Sequence, residues 1–519
     1  MKAKSSDPVS LPLSVRIKSL LAHLSLALVS AGLMVLAYPK TDAWPLAWFG
    51  LVPLLLALDG KRPGAAYGLG WVFGCAFFGG TLYWLMHVTG FGMALLVMFL
   101  ANYIGLFALG HSLWRKRPLM EKIFLYPALW TALEFIRDRF LSGFGWASLG
   151  HSQYLFLPVI QMADITGMFG VSFLVLMANV AIKETLRPSG GRRESRKAGL
   201  TLAMILAAVL VYGVFRLNPA KPDPTLRVAI VQPNIPQEMK WQSSAWPVNM
   251  EKMKELTLRA AETRPDLIIW PETSYPGYIW DSPALYEDMK QFMAGVKVPL
   301  LFGAHTKIGD SYFNSAVLFD SAGQETAQYD KLHLVPFGEY LPLRRAWPFL
   351  EEIVPIEDFT AGRKQTVFTI PDGKGQTLSV LICFEDTMAR LAREFVNSGA
   401  RLLVNITNDA WFQDTKAPFM HLQAAVFRTV ENRRALVRAS NTGVSCFISK
   451  TGKIYKYLES NGKKTFVDGV TVADVGFSGG KTFYTKSGDV FTYFCFGVIL
   501  WGIITGELRR KKPGPGINR

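Results

Sequence analysis

The chain has 519 residues, half of them hydrophobic, a formal net charge of +16 at pH 7 and a mean hydropathy of +0.20. No single soluble domain needs so many long apolar windows, so the composition excludes a purely soluble enzyme and points to a membrane protein carrying a folded domain. Four cysteines in this length exclude a disulfide framework.

A bilayer core requires about 20 consecutive, mostly apolar residues per helix. Seven windows of this kind precede residue 217, at 19–38, 43–58, 66–87, 90–113, 123–142, 162–182 and 199–215, and an eighth, "VFTYFCFGVILWGIIT", spans 490–505. The first has a basic flank, Arg16 and Lys18, as secretory leaders do. No small-x-small cleavage site follows and more windows come directly after, so it is expected to remain as an anchor. The fifth window closes on Glu134, Arg137, Asp138 and Arg139, followed by "GFGWASLGHSQY". These charges are expected to pair and snorkel toward the headgroups; the alternative is that the Gly/Trp/Ser loop lies beneath an exported domain and shapes a path for lipid.

The basicity is not spread evenly. The N-terminus, the tail and three alternate loops, which include Lys61, Arg115, Lys116, Lys122, Lys183, Arg187 and Arg192, hold 21 basic residues and six acids, an excess of fifteen. The segment 217–488 holds 31 basic and 29 acidic residues, an excess of two. By the positive-inside rule the basic loops and both termini face the cytoplasm and 217–488 lies on the other side. The charge is therefore a topology signal, and a nucleic-acid partner is not expected. The expected organisation is 1–216, seven transmembrane helices; 217–488, an exported (periplasmic) domain; 489–506, an eighth helix; and 507–519, a basic cytoplasmic tail.

Within 217–488, strand-like runs at 226–232, 267–272, 299–305, 315–320, 378–384, 401–407 and 443–449 alternate with amphipathic stretches near 248–263, 283–295, 387–398 and 419–433. That alternation predicts a layered α/β domain whose sheets are covered by helices. The stretch 341–363 mixes bulky apolar residues, proline and charge, and reads as an exposed arm with Leu341, Leu343, Trp347, Phe349, Leu350 and Ile353 able to dip into headgroups. Of the cysteines, Cys75 and Cys495 fall in apolar windows, and Cys383 and Cys446 are expected to be free thiols.

Three residues stand where loops leave strands, the usual place for chemistry in α/β folds. Glu272 ends "LIIWPE", Lys331 sits in "YDKLHLVPFGEY", and Cys383 ends "LSVLIC" just before a helical segment. Singly, each has an ordinary reading: a solvated turn acid, a surface lysine, a core thiol. Jointly they supply what thiol chemistry needs, a base to make the thiolate and a cation for a developing oxyanion.

With "WPE", "YDKLHLVPFGEY" and "ICFED" around it, the order Glu272, Lys331, Cys383 resembles the nitrilase superfamily, and the likeness runs through about 226–475, including "VAIVQPNIPQEMKW" and "NITNDAWF". Seven windows before such a domain and one after it are similar to the membrane-embedded apolipoprotein N-acyltransferases. The resemblance implies a multi-pass α-helical membrane domain of eight spans plus an α-β-β-α sandwich, with Cys383 as nucleophile, Glu272 as general base and Lys331 as oxyanion-stabilising cation. It implies supporting acids at Glu339 and Glu385 and substrate-facing aromatics at Trp241 and Trp411. Phe384 departs from the pattern, since many relatives have tyrosine there.

The implied reaction moves an acyl chain from a phosphatidylethanolamine-like donor, through a Cys383 thioester, to the α-amino group of a diacylated apolipoprotein at the bacterial inner membrane. No cofactor or metal is expected, because His305 and His333 lack ligand spacing and no phosphate-binding loop occurs. A monomer is expected. Two rivals are a membrane-tethered amidase using water as acceptor, and a transporter or scaffold carrying an inactive domain. The first fits eight spans poorly; the second fits neither the full triad nor the scarcity of charge inside the windows.

Overall fold

The computed structural model describes residues 12–218, 224–279, 281–341, 358–371 and 375–511. Among these, six helices are long and apolar enough to cross a bilayer, at Leu13–Leu36, Pro63–His87, Gly90–Leu113, Met168–Leu186, Arg192–Leu217 and Val490–Arg509. The 43–58 window departs from expectation. It forms a 3-10 turn, Trp44–Trp48, and a seven-residue helix, Val52–Leu58, which at about 1.5 Å per residue covers only a third of a bilayer core. The 123–142 window lies in a 21-residue helix, Leu119–Arg139, with charged residues toward both ends, and the 162–182 window is broken at Gly167, where φ is +66°.

Helices Pro63–Leu82 and Gly90–Leu113 pack along their lengths because small residues face each other. A Cβ added at Gly70 would lie 2.6 Å from Ala108 Cβ, and one at Gly74 would lie 2.7 Å from Ala101 Cα. This Gly-xxx-Gly approach lets the two backbones touch where lipid provides no hydrophobic drive.

The domain after residue 224 has two six-stranded sheets. The first runs β12-β1-β2-β3-β4-β5, with β1 Thr225–Gln232, β2 Leu267–Ile269, β3 Leu300–Ile308, β4 Ser311–Phe319, β5 Glu325–Asp330 and β12 Gly469–Gly476. The second runs β11-β10-β9-β8-β7-β6, with β6 Phe368–Thr369, β7 Thr377–Ile382, β8 Leu402–Thr407, β9 Leu436–Ser440, β10 Cys446–Ile448 and β11 Ile454–Tyr457. Each has a parallel centre, β1-β2-β3 or β7-β8-β9, flanked by antiparallel strands.

Period-two alternation builds the layers. Val228, Ile230, Leu267, Ile269, Leu301 and Leu318 turn inward between the sheets, while Ala229, Val231, Ile268, Phe302 and Phe319 face the helices Trp246–Ala261 and Pro283–Val296. The second sheet is covered by Ala389–Asn397 and Ala417–Asn432, completing the α-β-β-α sandwich. The core behind the second sheet runs without a break into the helical bundle.

Helix Ala417–Asn432 is the seam, every residue but Phe419 being buried. Glu431 Oε1 accepts from the Met168 N–H at 3.0 Å, Arg433 Nη2 lies 2.7 Å from Asp164 Oδ2, and the Phe427 ring lies 5.4 Å from His151. The charges closing helix Leu119–Arg139 also serve this seam and do not snorkel. Glu134 and Arg137 are buried. Glu134 Oε1 accepts from Trp130 Nε1 and the Leu149 N–H, and Arg139 pairs with Asp489 at 2.7 Å. The 143–154 loop they hold lies beneath the two-sheet domain, Trp146 packing 5.2 Å from His421 and 5.1 Å from Trp84.

Of the arm expected at 341–363, Leu341 and 358–363 are described; Leu343, Trp347, Phe349, Leu350 and Ile353 lie outside the described residues.

Candidate active site

Glu272 follows β2 by three residues, and its main chain crosses Gly303 of β3 so closely that a Cβ there would sit 2.6 Å from Glu272 Cα. Its carboxylate is held at both oxygens: Oε1 accepts from Asn314 Nδ2 and Oε2 from the Asn408 N–H, each at 2.8 Å. Lys331 immediately follows β5, a strand outside the runs that the sequence predicts. Lys331 Nζ lies 2.8 Å from Glu339 Oε1 and 3.7 Å from Glu272 Oε1. Asn314 Nδ2 also donates to Glu339 Oε1 at 2.8 Å, so one amide ties both acids together. Burial works against the lysine's charge, but Glu339, Glu272 and Cys383 raise its pKa above the ordinary value, and it is an ammonium.

Cys383 is not the last residue of a strand: β7 ends at Ile382, and Cys383 opens a 3-10 turn to Thr387, with the helix starting only at Ala389. Its φ of +53° places a β-carbon in the left-handed region, a local strain that persists only where the surroundings impose it. They do so here through its carbonyl, which accepts from Asn405 Nδ2 at 2.9 Å and faces His421 Nε2 at 3.1 Å. Burial pushes the Cys383 thiol well above its ordinary range, Glu272 adds to this and Lys331 opposes it. The resting group is therefore a thiol, on which the carboxylates of Glu272 and Asp409 both bear.

Glu385 organises the turn. Its oxygens accept from the N–H groups of Ile382, Leu332 and His333 and from the Tyr329 hydroxyl, at 2.8 to 3.1 Å. Burial pushes its pKa up to about 7, with Lys331 and the N–H donors holding it down. It thus joins the cysteine turn to the lysine loop. Phe384 lies against Lys331, Nζ 5.5 Å from the ring centroid, so the ring keeps a cation–π contact without a hydroxyl.

Trp241 and Trp411 are both half exposed, Trp241 stacked on His305 at 5.5 Å.

Sequence reading missed three groups. Asn314 stands in the apolar run of β4, and a polar amide there is a signal, because buried amides occur where partners await them. Lys240 is buried beside Trp241; its Nζ donates to the Glu272 carbonyl at 2.8 Å, and burial pulls its pKa down to about 7, Glu272 opposing. The third is a buried cluster under Cys383. His421 Nε2 lies 2.8 Å from Asp386 Oδ1 and Nδ1 lies 3.2 Å from Asp409 Oδ1, while Arg438 bonds Asp386 Oδ2 at 2.8 Å and Asp409 Oδ2 at 3.0 Å. Both ring nitrogens face carboxylates, so the imidazole carries both protons, and two cations balance two anions.

Residues 30–181 match the apolipoprotein N-acyltransferase N-terminal domain and residues 227–478 the carbon-nitrogen hydrolase domain. The chain is 37% identical to the apolipoprotein N-acyltransferase of Geobacter metallireducens over 490 residues, covering 91% of this chain and 92% of that one. It is 31% identical to that of Chlorobaculum tepidum over 507 residues, covering 90% and 92%. The chain belongs to the apolipoprotein N-acyltransferase family. It is an acyltransferase with a nitrilase-superfamily domain on a membrane-protein base. Among solved structures it is similar to an amidase from Nesterenkonia sp., at 20% identity and a TM-score of 0.37 over 52% of this chain and 96% of that one.

Proposed function

We propose that the chain transfers an acyl group from a glycerophospholipid, through a thioester on Cys383, to the α-amino group of a diacylglyceryl-cysteine at the N-terminus of a lipoprotein. The observation that carries this reading is the constellation Glu272–Asn314–Glu339–Lys331, whose charges bear on a strained, protonated Cys383 in a chain of this family.

In the first step Glu272 accepts the thiol proton as Sγ attacks the donor ester carbonyl. Lys331 and backbone N–H groups stabilise the tetrahedral oxyanion. The ester C–O bond breaks, Glu272 returns the proton to the leaving alkoxide, and a lysophospholipid departs. In the second step the lipoprotein amine attacks the thioester, an amide forms, and the proton lost by nitrogen passes through Glu272 to the leaving thiolate. Glu339 and Asn314 hold Lys331 and Glu272 in register. Trp241 and Trp411 flank the substrates.

Family membership and the long apolar helices favour the lipid-anchored acceptor. Under this reading eight apolar segments set the catalytic domain on the outer face of the inner membrane, the donor is phosphatidylethanolamine-like, and a monomer is the working unit.

The test is incubation of the membrane-reconstituted protein with acyl-labelled phospholipid. A hydroxylamine-sensitive label is expected on the native protein and not on Cys383→Ala, and a diacylated lipopeptide then discharges it as an amide. No label on the native protein sinks the thioester; discharge only as free fatty acid makes the enzyme a hydrolase.

A further inference from the structure

A polar cavity lies far from Cys383, between the ends of the membrane helices that point away from the catalytic domain. Its volume is about 360 Å³, and its wall comes from the ends of Val52–Leu58, Gly90–Leu113, Leu119–Arg139 and Met168–Leu186. Met168, which touches the catalytic domain, and Lys183, which lines the cavity, are fifteen residues apart on one helix, about 22 Å at ~1.5 Å per residue.

The wall contains its own charge balance. Lys183 Nζ lies 2.8 Å from Asp59 and 3.0 Å from Glu184, and Lys122 lies 3.9 Å from Glu184, all four lining the cavity. Two cations meet two anions, and the interior of the wall is neutral. Three more cations, Arg115, Lys116 and Arg187, stand exposed at the same cavity, with no carboxylate partner among the described residues. Buried in the wall is His111, whose Nδ1 has no hydrogen-bond partner.

The positive-inside pattern accounts for the sign of these residues and not for their convergence. Arg115 and Lys116 follow one helix and Arg187 another, yet they meet at one opening, while Arg192, Arg193 and Arg196, in the first turns of helix Arg192–Leu217, do not line it. The cavity offers on the order of twenty times the space one bound water requires. Basic pockets between membrane helices are suited to phosphate-bearing headgroups.

We propose that this cavity is a binding site for the phosphate-bearing headgroup of an anionic phospholipid in the leaflet opposite the catalytic domain. Arg115, Lys116 and Arg187 take the phosphate and the orphaned His111 nitrogen takes a polar atom of the headgroup. The site is separate from the donor site, and the proposal does not depend on which acyl acceptor is used.

The full-length protein is reconstituted in phosphatidylcholine nanodiscs with and without phosphatidylglycerol, and lipid retained on the protein is counted by native mass spectrometry. The variant R115Q/K116Q/R187Q is compared with R192Q/R193Q/R196Q, which removes equal charge from the same face. The first variant is expected to lower affinity for phosphatidylglycerol by roughly ten- to a hundredfold, and the second to leave it near native. Thermal unfolding in phosphatidylcholine alone, unchanged for both, shows that folding is intact; if the first variant unfolds there, retention by Arg115→Gln alone decides. Equal losses in both variants, or no loss in either, overturn the proposal. A protein that binds inorganic phosphate or glycerol phosphate as tightly as the lipid also overturns it in favour of a soluble anion.

Discussion

Asn314 joins two acids that would otherwise repel each other, and removing it leaves Glu272 with one fixed oxygen where it had two. Asn314→Leu is expected to lower the rate of thioester formation by about 10²-fold, in the range for losing a positioned proton-transfer group, with lipid affinity unchanged; single-turnover labelling checks it. Lys331 lowers the Cys383 pKa while burial and Glu272 raise it. Lys331→Met therefore moves the thiol further up, and alkylation by iodoacetamide at pH 8 slows, with its pH profile displaced to the alkaline side. Lys240 titrates near 7 in the folded protein against 10.5 ordinarily. Between those values the unfolded chain holds the proton and the folded one does not, so this group makes the protein more stable as pH rises from 7 toward 10. Lys240→Met is expected to flatten that part of the stability curve, seen as a native-minus-variant difference in denaturant midpoint across pH. Glu272, Lys331 and Cys383 were legible because each stands at a strand exit beside a distinctive motif. Lys240, His421 and Arg438 were not, because one-dimensional sequence does not say which basic side chains a fold turns inward.

At the level of elements, apolar alternation located β1, β3, β4, β7 and β8 closely. It missed β6, which is two residues long, and β5, β9, β11 and β12, whose sequences "ETAQYD", "LVRAS", "IYKY" and "GVTVADVG" carry polar residues. β9 shows why: Arg438 is fully buried in it, paired through both terminal nitrogens with two aspartates, so its polarity is internal. The short Val52–Leu58 helix was over-read because hydropathy records apolar length and not where a chain turns. Helix Ala417–Asn432 offers the sharpest test of packing. Phe427 is fully buried at the seam, and Phe427→Ala is expected to cost about 3–5 kcal/mol, read as a lowered Tm of the full-length protein in detergent. Gly74→Leu meets the Ala101 backbone where helices Pro63–Leu82 and Gly90–Leu113 touch; loss of folded protein after membrane insertion is its expected signature.

Over the whole molecule, the division near residue 217 that hydropathy shows is a division of chain and not of core. The hydrophobic cluster is continuous from the membrane helices through Ala417–Asn432 to the space between the sheets, and His421 on that helix touches both Trp146 and the Cys383 carbonyl. The segment 224–488 expressed alone is therefore expected to bind a hydrophobic dye and to unfold without a cooperative transition, whereas the same segment within the full chain does neither; fluorescence and calorimetry decide.

The seam helix also sets a rule for anyone recombining these proteins. A hybrid joined at the chain boundary would pair one parent's Ala417–Asn432 face with another parent's loop 143–154, and the mismatch would reach Cys383 through His421 within two contacts. Swaps that carry 134–172 together with the catalytic domain keep both sides of that surface from one ancestor. The working module of this fold is thus a discontinuous one, assembled from two stretches that the ribosome makes far apart.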